Sequence, residues 1–355
     1  MDASAATIPE LLLGWYDDHH RTLPWRSPPG SPPPPSYRVW LSEVMLQQTT
    51  TAAVAPFFAK FLTRWPDVAA LAAADEGEVM AAWAGLGYYA RARNLIACAK
   101  AVAAAGGEFP ATEADLRKLP GLGAYTAAAV AAIAFGERVA VVDANVERVV
   151  TRLFAIATPL PQAREQIRAE VDRFTPADRP GDFAQAMMDL GATVCTTRAP
   201  KCLLCPLAPH CAGRALGPER FPVKLPKAAK PQRQGRAYWI ERERRVWLVR
   251  RAVKGMLGGM RALPDDSWSA RLDGHARPPL EGEWAAAGSV RHSFTHFDLD
   301  LQLMVYSGRD CSRLDPEHGE WWATGDLDEA GLPTLFAKAA RLAMASAASG
   351  RTIGD

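Results

Sequence analysis

The chain has almost no net charge, with 41 basic residues against 39 acidic ones for a formal +2. Taken whole, it lacks the basic excess that marks many partners of polyanions. It also lacks long apolar runs. Leu11 to Leu13 is short and gives way to Asp17, Asp18 and His19, so no secretion signal with a basic start is legible. No stretch reaches the roughly 20 apolar residues that a membrane span needs. These absences predict a soluble, intracellular protein with no membrane partner. Cysteine is scarce, six in all, and four of the six fall between positions 195 and 211. In a reducing compartment thiols stay reduced, so such clustering points to metal ligation instead of disulfides.

What is present is enough for two domains: 355 residues, 48% hydrophobic. Residues 1–216 are Ala-rich and repeat with helical period. Tyr37, Leu41, Val44 and Gln48 share one face, with Trp40, Glu43 and Gln47 on the neighbouring one. Asp143 opens a run in which Val146, Val149, Val150 and Leu153 recur at helical spacing, and Asp182 opens another through Cys195. The proline-rich stretch from Ser27 to Ser36 reads as a surface loop. Residues 217–235 carry Pro218, Pro222, Pro226 and Pro231 as in an extended linker. The linker lies in a locally basic region: Arg198, Lys201, Arg214, Arg220, Lys224, Lys227, Lys230, Arg233 and Arg236 are opposed by Glu219 alone. Beyond it the period changes to two, with Phe297, Leu299, Leu301, Leu303 and Val305 alternating with polar residues and Met304. Tyr238–Glu241 and Val246–Val249 read as a hairpin and Leu335–Ala347 as a helix, so residues 236–350 are predicted to form an α+β domain.

Cys195, Cys202, Cys205 and Cys211 form C-x6-C-x2-C-x5-C. Four soft thiolates in one compact loop suit an iron–sulfur centre. Zinc is the alternative, disfavoured because structural zinc sites usually pair their ligands twice and this array has one close pair. Upstream, Leu119-Pro-Gly121-Leu-Gly123 separates two helical patterns. Such a glycine hairpin, followed by a helix N-terminus, can grip a DNA phosphate through backbone N–H groups.

The hairpin, the downstream Val141-Val142-Asp143 and the cysteine loop together resemble the endonuclease III, helix-hairpin-helix superfamily of DNA glycosylases. Trp40-Leu-Ser-Glu-Val-Met-Leu-Gln-Gln-Thr49, Gly85-Leu-Gly-Tyr-Tyr-Ala-Arg-Ala-Arg-Asn94 and Gln185-Ala-Met-Met-Asp-Leu-Gly191 are similar to the adenine glycosylase (MutY) branch. The resemblance implies a mainly α helix-hairpin-helix catalytic domain bearing a [4Fe-4S] loop, joined to a Nudix-like α+β domain. Its implied partner is double-stranded DNA containing adenine opposite 8-oxoguanine or guanine, met by a monomer at the nucleoid.

Cleaving an N-glycosidic bond needs an acid for the departing purine and a carboxylate for the oxocarbenium-like sugar. By resemblance Glu43 is the general acid and Asp143 the second carboxylate; an aspartate before a helix is also an N-cap, and the two roles are compatible. Bifunctional relatives carry a nucleophilic lysine two residues after the last hairpin glycine, where this chain has Tyr125. A phenol forms no Schiff base, so the resemblance implies a monofunctional enzyme, with Tyr125 hydrogen-bonded to Asp143 and Asn145 supporting the same site. Arg26 and Gln185 match contacts to the flipped adenine, and Gln48, Thr49, Leu86 and Tyr88 match residues that wedge into the opened stack.

In the second domain Gly255-Met-Leu-Gly-Gly-Met260 and Arg291-His-Ser-Phe-Thr-His-Phe297 carry the likeness to Nudix proteins. The metal-binding glutamate-rich signature of those hydrolases is absent from residues 236–355, so the domain is expected to bind without hydrolysing. Phe294, Thr295 and His296 stand where the family has its 8-oxoguanine loop, with a plain structural turn as the competing explanation.

Overall fold

The structure is a computed structural model that describes residues 7–226, 229–252 and 256–348. Lys227 of the basic run and Gly255 of the glycine motif lie outside the described residues. The chain divides into two compact units, residues 1–73 with 94–227 and residues 74–93 with 228–355. No helix among the described residues is long and apolar enough to cross a membrane.

The first unit is helical: α1 (Ile8–His19), α2 (Ser36–Leu46), α3 (Thr51–Arg64) and α4 (Val68–Ala73) precede residue 74. α5 (Glu76–Ala82) and the start of α6 (Ala90–Ala104) fall in the second unit. There follow α7 (Glu113–Leu116), α8 (Ala124–Phe135), α9 (Ala144–Leu153), α10 (Arg164–Phe174), α11 (Pro180–Thr193) and α12 (Ala212–Leu216). The proline-rich stretch is irregular, as its rings require, and α2 begins after Pro35.

α8 sits at the centre, packed against α2, α7 and α11. Its Ala127–Ala132 run is buried throughout, and such small side chains allow neighbouring backbones close in. Gly181 of α11 uses that space: a Cβ there would lie 2.6 Å from the Ala132 carbonyl oxygen. In α9 the predicted face is the buried one, with Val146, Val149, Val150 and Leu153 all inside. α11 starts at Pro180, two residues before Asp182, because proline pre-sets the dihedral of a first helical turn, and it stops at Thr193, short of Cys195.

In the second unit β1 (Gln232–Trp239) runs parallel to β6 (Asp298–Tyr306), which pairs antiparallel with β5 (Trp284–Ser293), in the order β1-β6-β5. A second sheet joins β2 (Glu241–Arg242), β3 (Arg245–Arg250) and β4 (Arg261–Ala262), with β7 (Gly319–Ala323) on β3. Leu299, Leu301 and Leu303 are buried in one core with Phe336, Ala339 and Ala340 of α13 (Thr334–Ala348), as the period-two pattern predicts. The hairpin differs from expectation. Tyr238 and Trp239 belong to β1 and pair with β6, leaving Glu241–Arg242 to meet β3. The reversal is at Glu243 and Arg244, both at positive φ (51° and 57°), the geometry of a two-residue primed turn.

Candidate active site

Glu43 lies on α2 among buried Trp40, Leu41, Val44 and Met45 and is itself 5% exposed. Burial raises its pKa above the ordinary glutamate range and Asp143 adds to the rise; the Tyr125 hydrogen bond and the Arg26 charge oppose it. Tyr125, in the first turn of α8, donates its hydroxyl to Glu43 Oε2 at 2.6 Å. Burial first, and then the charges of Glu43 and Asp143, push that phenol well above its usual value, so it remains a donor. The expected Tyr125–Asp143 bond is therefore not the one formed. The close approach of α2 and α8 puts Glu43 within the phenol's reach, while Asp143 takes other partners.

Asp143 caps α9, its Oδ1 accepting from the Val146 N–H at 2.7 Å while its Oδ2 accepts from Asn145 Nδ2 at 2.8 Å. The carboxylate is held at both oxygens. Asn145 is fixed in turn: Arg148 Nη2 donates to its Oδ1 at 2.8 Å and to the Gly191 carbonyl at 2.5 Å. Only glycine fits at 191, since a Cβ would stand 2.6 Å from the Asn145 Cβ.

Glu43, Tyr125, Asp143, Asn145, Arg26, Gln48 and Thr49 all line one cavity of about 900 Å³. Gln185 does not line it. That side chain is buried on α11 and turns back along its own helix, Nε2 donating to the Gly181 carbonyl at 3.3 Å. One turn further along α11, Asp189 is the residue that serves the site. Its fully buried carboxylate receives the Arg21 backbone N–H (2.9 Å), Arg21 Nε (2.6 Å) and Arg26 Nη1 (2.8 Å). Burial works to lower the Arg26 pKa, but the Asp189 pair more than offsets it and leaves the guanidinium firmly charged. Removing one partner of such a buried pair costs about 3–5 kcal/mol. Arg21 and Asp189 were invisible as site residues in the linear pattern, although Asp189 sits within the Gln185–Gly191 motif one helical turn from Gln185.

The four thiols of Cys195, Cys202, Cys205 and Cys211 line one small cavity together with Arg152 and Val194. Arg152 anchors the loop, donating to the Thr196 carbonyl at 2.7 Å, the Thr197 carbonyl at 3.2 Å and Cys195 Sγ at 3.3 Å. Among the described residues no three His, Cys, Asp or Glu side chains are already drawn into a metal cage. In the hairpin Gly121 adopts φ 77°, and a Cβ there would strike Asn94 at 2.5 Å. Gly123 precedes α8 without a side-chain cap and is exposed, leaving the helix N-terminus open to an anion.

In the second unit, Thr295 and His296 form the exposed tip between β5 and β6. Phe294 closes the turn, its N–H donating to the Phe297 carbonyl at 2.9 Å and its ring stacking on Phe297 at 4.7 Å. The turn is thus structural, and it also displays two polar side chains. Leu86 is buried and Tyr88 is 49% exposed, so of these two only the tyrosine stands clear of the surface.

Residues 41–175 match the family model of HhH-GPD superfamily base excision DNA repair proteins, and residues 236–342 match that of the NUDIX domain. The adenine DNA glycosylase of Homo sapiens is 32% identical, across 93% of this chain and 73% of its own length. That of Buchnera aphidicola is 28% identical, across 91% and 95%. Among solved structures, a thermostable thymine-DNA glycosylase aligns with a TM-score of 0.53 at 27% identity, over 59% of this chain and 95% of that one. An endonuclease III–DNA covalent intermediate shares the fold at a TM-score of 0.50 and 23% identity, over 59% of this chain and 94% of that one. With residues 41–175 and 236–342 both matched, and a relative 32% identical aligned across 93% of this chain and 73% of its own length, the chain belongs to the adenine DNA glycosylase family of base excision repair.

Proposed function

We propose that the chain is a monofunctional enzyme that hydrolyses the N-glycosidic bond of adenine mispaired with 8-oxoguanine, and secondarily with guanine, in double-stranded DNA. The observation that carries the reading is the placement of Glu43, Asp143 and Tyr125 in one cavity.

Burial keeps Glu43 protonated above the usual carboxylate range. With Oε2 occupied by Tyr125, Oε1 delivers the proton to an imidazole-ring nitrogen of the extruded adenine. As the C1′–N9 bond breaks, its electron pair leaves with the base, and the Asp143 carboxylate stabilises the cationic sugar. Water then adds to C1′ and gives its proton to the Glu43 carboxylate, which restores the acid. Arg26, held by Asp189, supplies polar contact to the base. Gln48 and Thr49 at the cavity, and exposed Tyr88, support the opened stack, with buried Leu86 packed behind the turn, while Gly121 and Gly123 hold a phosphate.

The four cysteines suit a [4Fe-4S] cluster: the donor set is all thiolate and all four line one cavity. When bound, the cluster cross-links the loop and takes no part in breaking the glycosidic bond. Residues 1–216 carry excision and 236–350 read 8-oxoguanine through Phe294, Thr295 and His296, with 217–235 as linker. The enzyme works as a monomer on the nucleoid in the cytoplasm.

The rival within the superfamily is a bifunctional glycosylase–lyase, and Tyr125 speaks against it. An adenine:8-oxoguanine duplex tests this: strand breaks should appear only after alkali, and borohydride should trap no enzyme–DNA adduct. A trapped adduct, or cleavage without alkali, contradicts the reading. The Tyr125–Glu43 bond gives a second expectation. Tyr125→Phe removes a donor that favours the Glu43 carboxylate, so the Glu43 pKa rises further. The alkaline limb of the single-turnover rate, where Glu43 loses its proton, should shift to higher pH in Tyr125→Phe. A limb unmoved, or moved to lower pH, contradicts it.

A further inference from the structure

The turn between α5 and α6 is organised around one buried guanidinium. Arg91 is 8% exposed, and its Nη2 donates to the Leu86 carbonyl at 3.0 Å and the Gly87 carbonyl at 3.2 Å. The guanidinium carbon lies 5.3 Å from the Trp83 ring centre and 5.5 Å from that of Tyr88. Fully buried Trp83 adds a bond from Nε1 to the Gly87 carbonyl at 3.1 Å. The backbone these contacts hold is unusual. Gly85 and Gly87 sit at φ 108° and 68°, which glycine adopts freely, but Tyr88 follows at φ 48°, which a tyrosine rarely holds unaided. Burial lowers the Arg91 pKa to about 10, which still leaves it charged at neutral pH.

We propose that Arg91 is a positioning residue that presents Tyr88 as a rigid wedge for the DNA stack, fixing the turn through two carbonyls while its guanidinium lies against the tyrosine ring. The inference rests on the proposed action on DNA. An exposed aromatic ring is a platform for a base, and side chains inserted between base steps reduce the cost of extrusion. Rigidity matters because a ring already in place loses no freedom on insertion. Arginine is required in this role: its planar fork reaches two acceptors and stacks at once, whereas lysine's ammonium is a point charge without a plane.

The test uses the full-length holoenzyme and a duplex with 2-aminopurine beside an adenine:8-oxoguanine pair, whose fluorescence rises when the stack opens. Arg91→Lys should cut that rise several-fold and lower the ratio of mispaired to fully paired duplex binding by about tenfold, a coupling of ordinary size for residues in contact. Tyr88→Ala should show the same two losses, and the double variant should be no worse than Tyr88→Ala. Unfolding midpoints monitor the fold, and Arg91→Gln, a neutral planar donor, repeats the cycle should the lysine variant fail to fold. An Arg91→Lys protein with wild-type fluorescence and discrimination overturns the inference, as do losses that multiply in the double variant. If the wild type releases no adenine at all, it is the proposed function that fails.

Discussion

Glu43→Gln is expected to lower the single-turnover rate of adenine release by about 10²- to 10⁴-fold, the range that a positioned general acid supplies, while duplex affinity stays within about threefold. The substitution is nearly isosteric. A glutamine carbonyl can accept the hydrogen bond that Tyr125 gives Glu43 Oε2, so the helix contacts survive, yet the amide has no proton to give a leaving purine. Stability supplies an independent check. Glu43 has a raised pKa in the folded protein, with burial the leading cause. A group of that kind stabilises the fold below its unfolded pKa, and the contribution is lost as pH rises through the folded value. Glu43→Gln should therefore gain stability over wild type as pH climbs above the ordinary glutamate range. Comparing unfolding midpoints at several pH values measures this. A variant less stable at every pH would mean that the carboxylate, not burial, governs the site.

Asp143→Asn should cost about 10²- to 10³-fold in the same assay, the scale seen when one preorganised electrostatic contact to a developing charge is lost. Asparagine caps helices as well as aspartate does, and Val146 N–H still has an oxygen to meet, so α9 is kept; the introduced Nδ2 then faces the Asn145 Nδ2 donor in place of an acceptor, which costs about 1 kcal/mol. Asp143→Ala removes charge and cap together, and the lost cap adds a stability cost of about 1 kcal/mol. Cap and charge are thereby separated. An Asp143→Asn enzyme with wild-type rate would reduce Asp143 to its capping bond with Val146.

The sequence made the helical faces legible and left much of the wiring hidden. Val146, Val149, Val150 and Leu153 announced their buried face by spacing, because helix period is a local property. Glu43 is singled out by the resemblance of the Trp40–Thr49 motif; spacing adds only that it lies among apolar neighbours. Which acid the Tyr125 hydroxyl would reach was not legible, since it depends on how closely the alanine face of α8 lets α2 approach. Gln185 and Asp189 show the same limit. They lie on one side of α11, and only packing sends the glutamine back to Gly181 and the aspartate to Arg21 and Arg26. The hairpin expected at Tyr238–Val249 is shortened to its turn end, with Glu241 on Val246, because β1 finds its partner in β6, some sixty residues away in sequence. Long-range pairing of that kind leaves no mark in a local alternation.

On the proposed mechanism, Glu43 and Asp143 serve hydrolysis of the adenine–sugar bond and leave the strand intact. Chromatographic measurement of free adenine from an adenine:8-oxoguanine duplex, under single turnover with the intact holoenzyme, tests it most directly. Stoichiometric free adenine is expected from an unbroken strand, faster than from an adenine:guanine duplex and nearly abolished in Glu43→Gln. No free adenine from either mispair, or release that survives in Glu43→Gln, would contradict it.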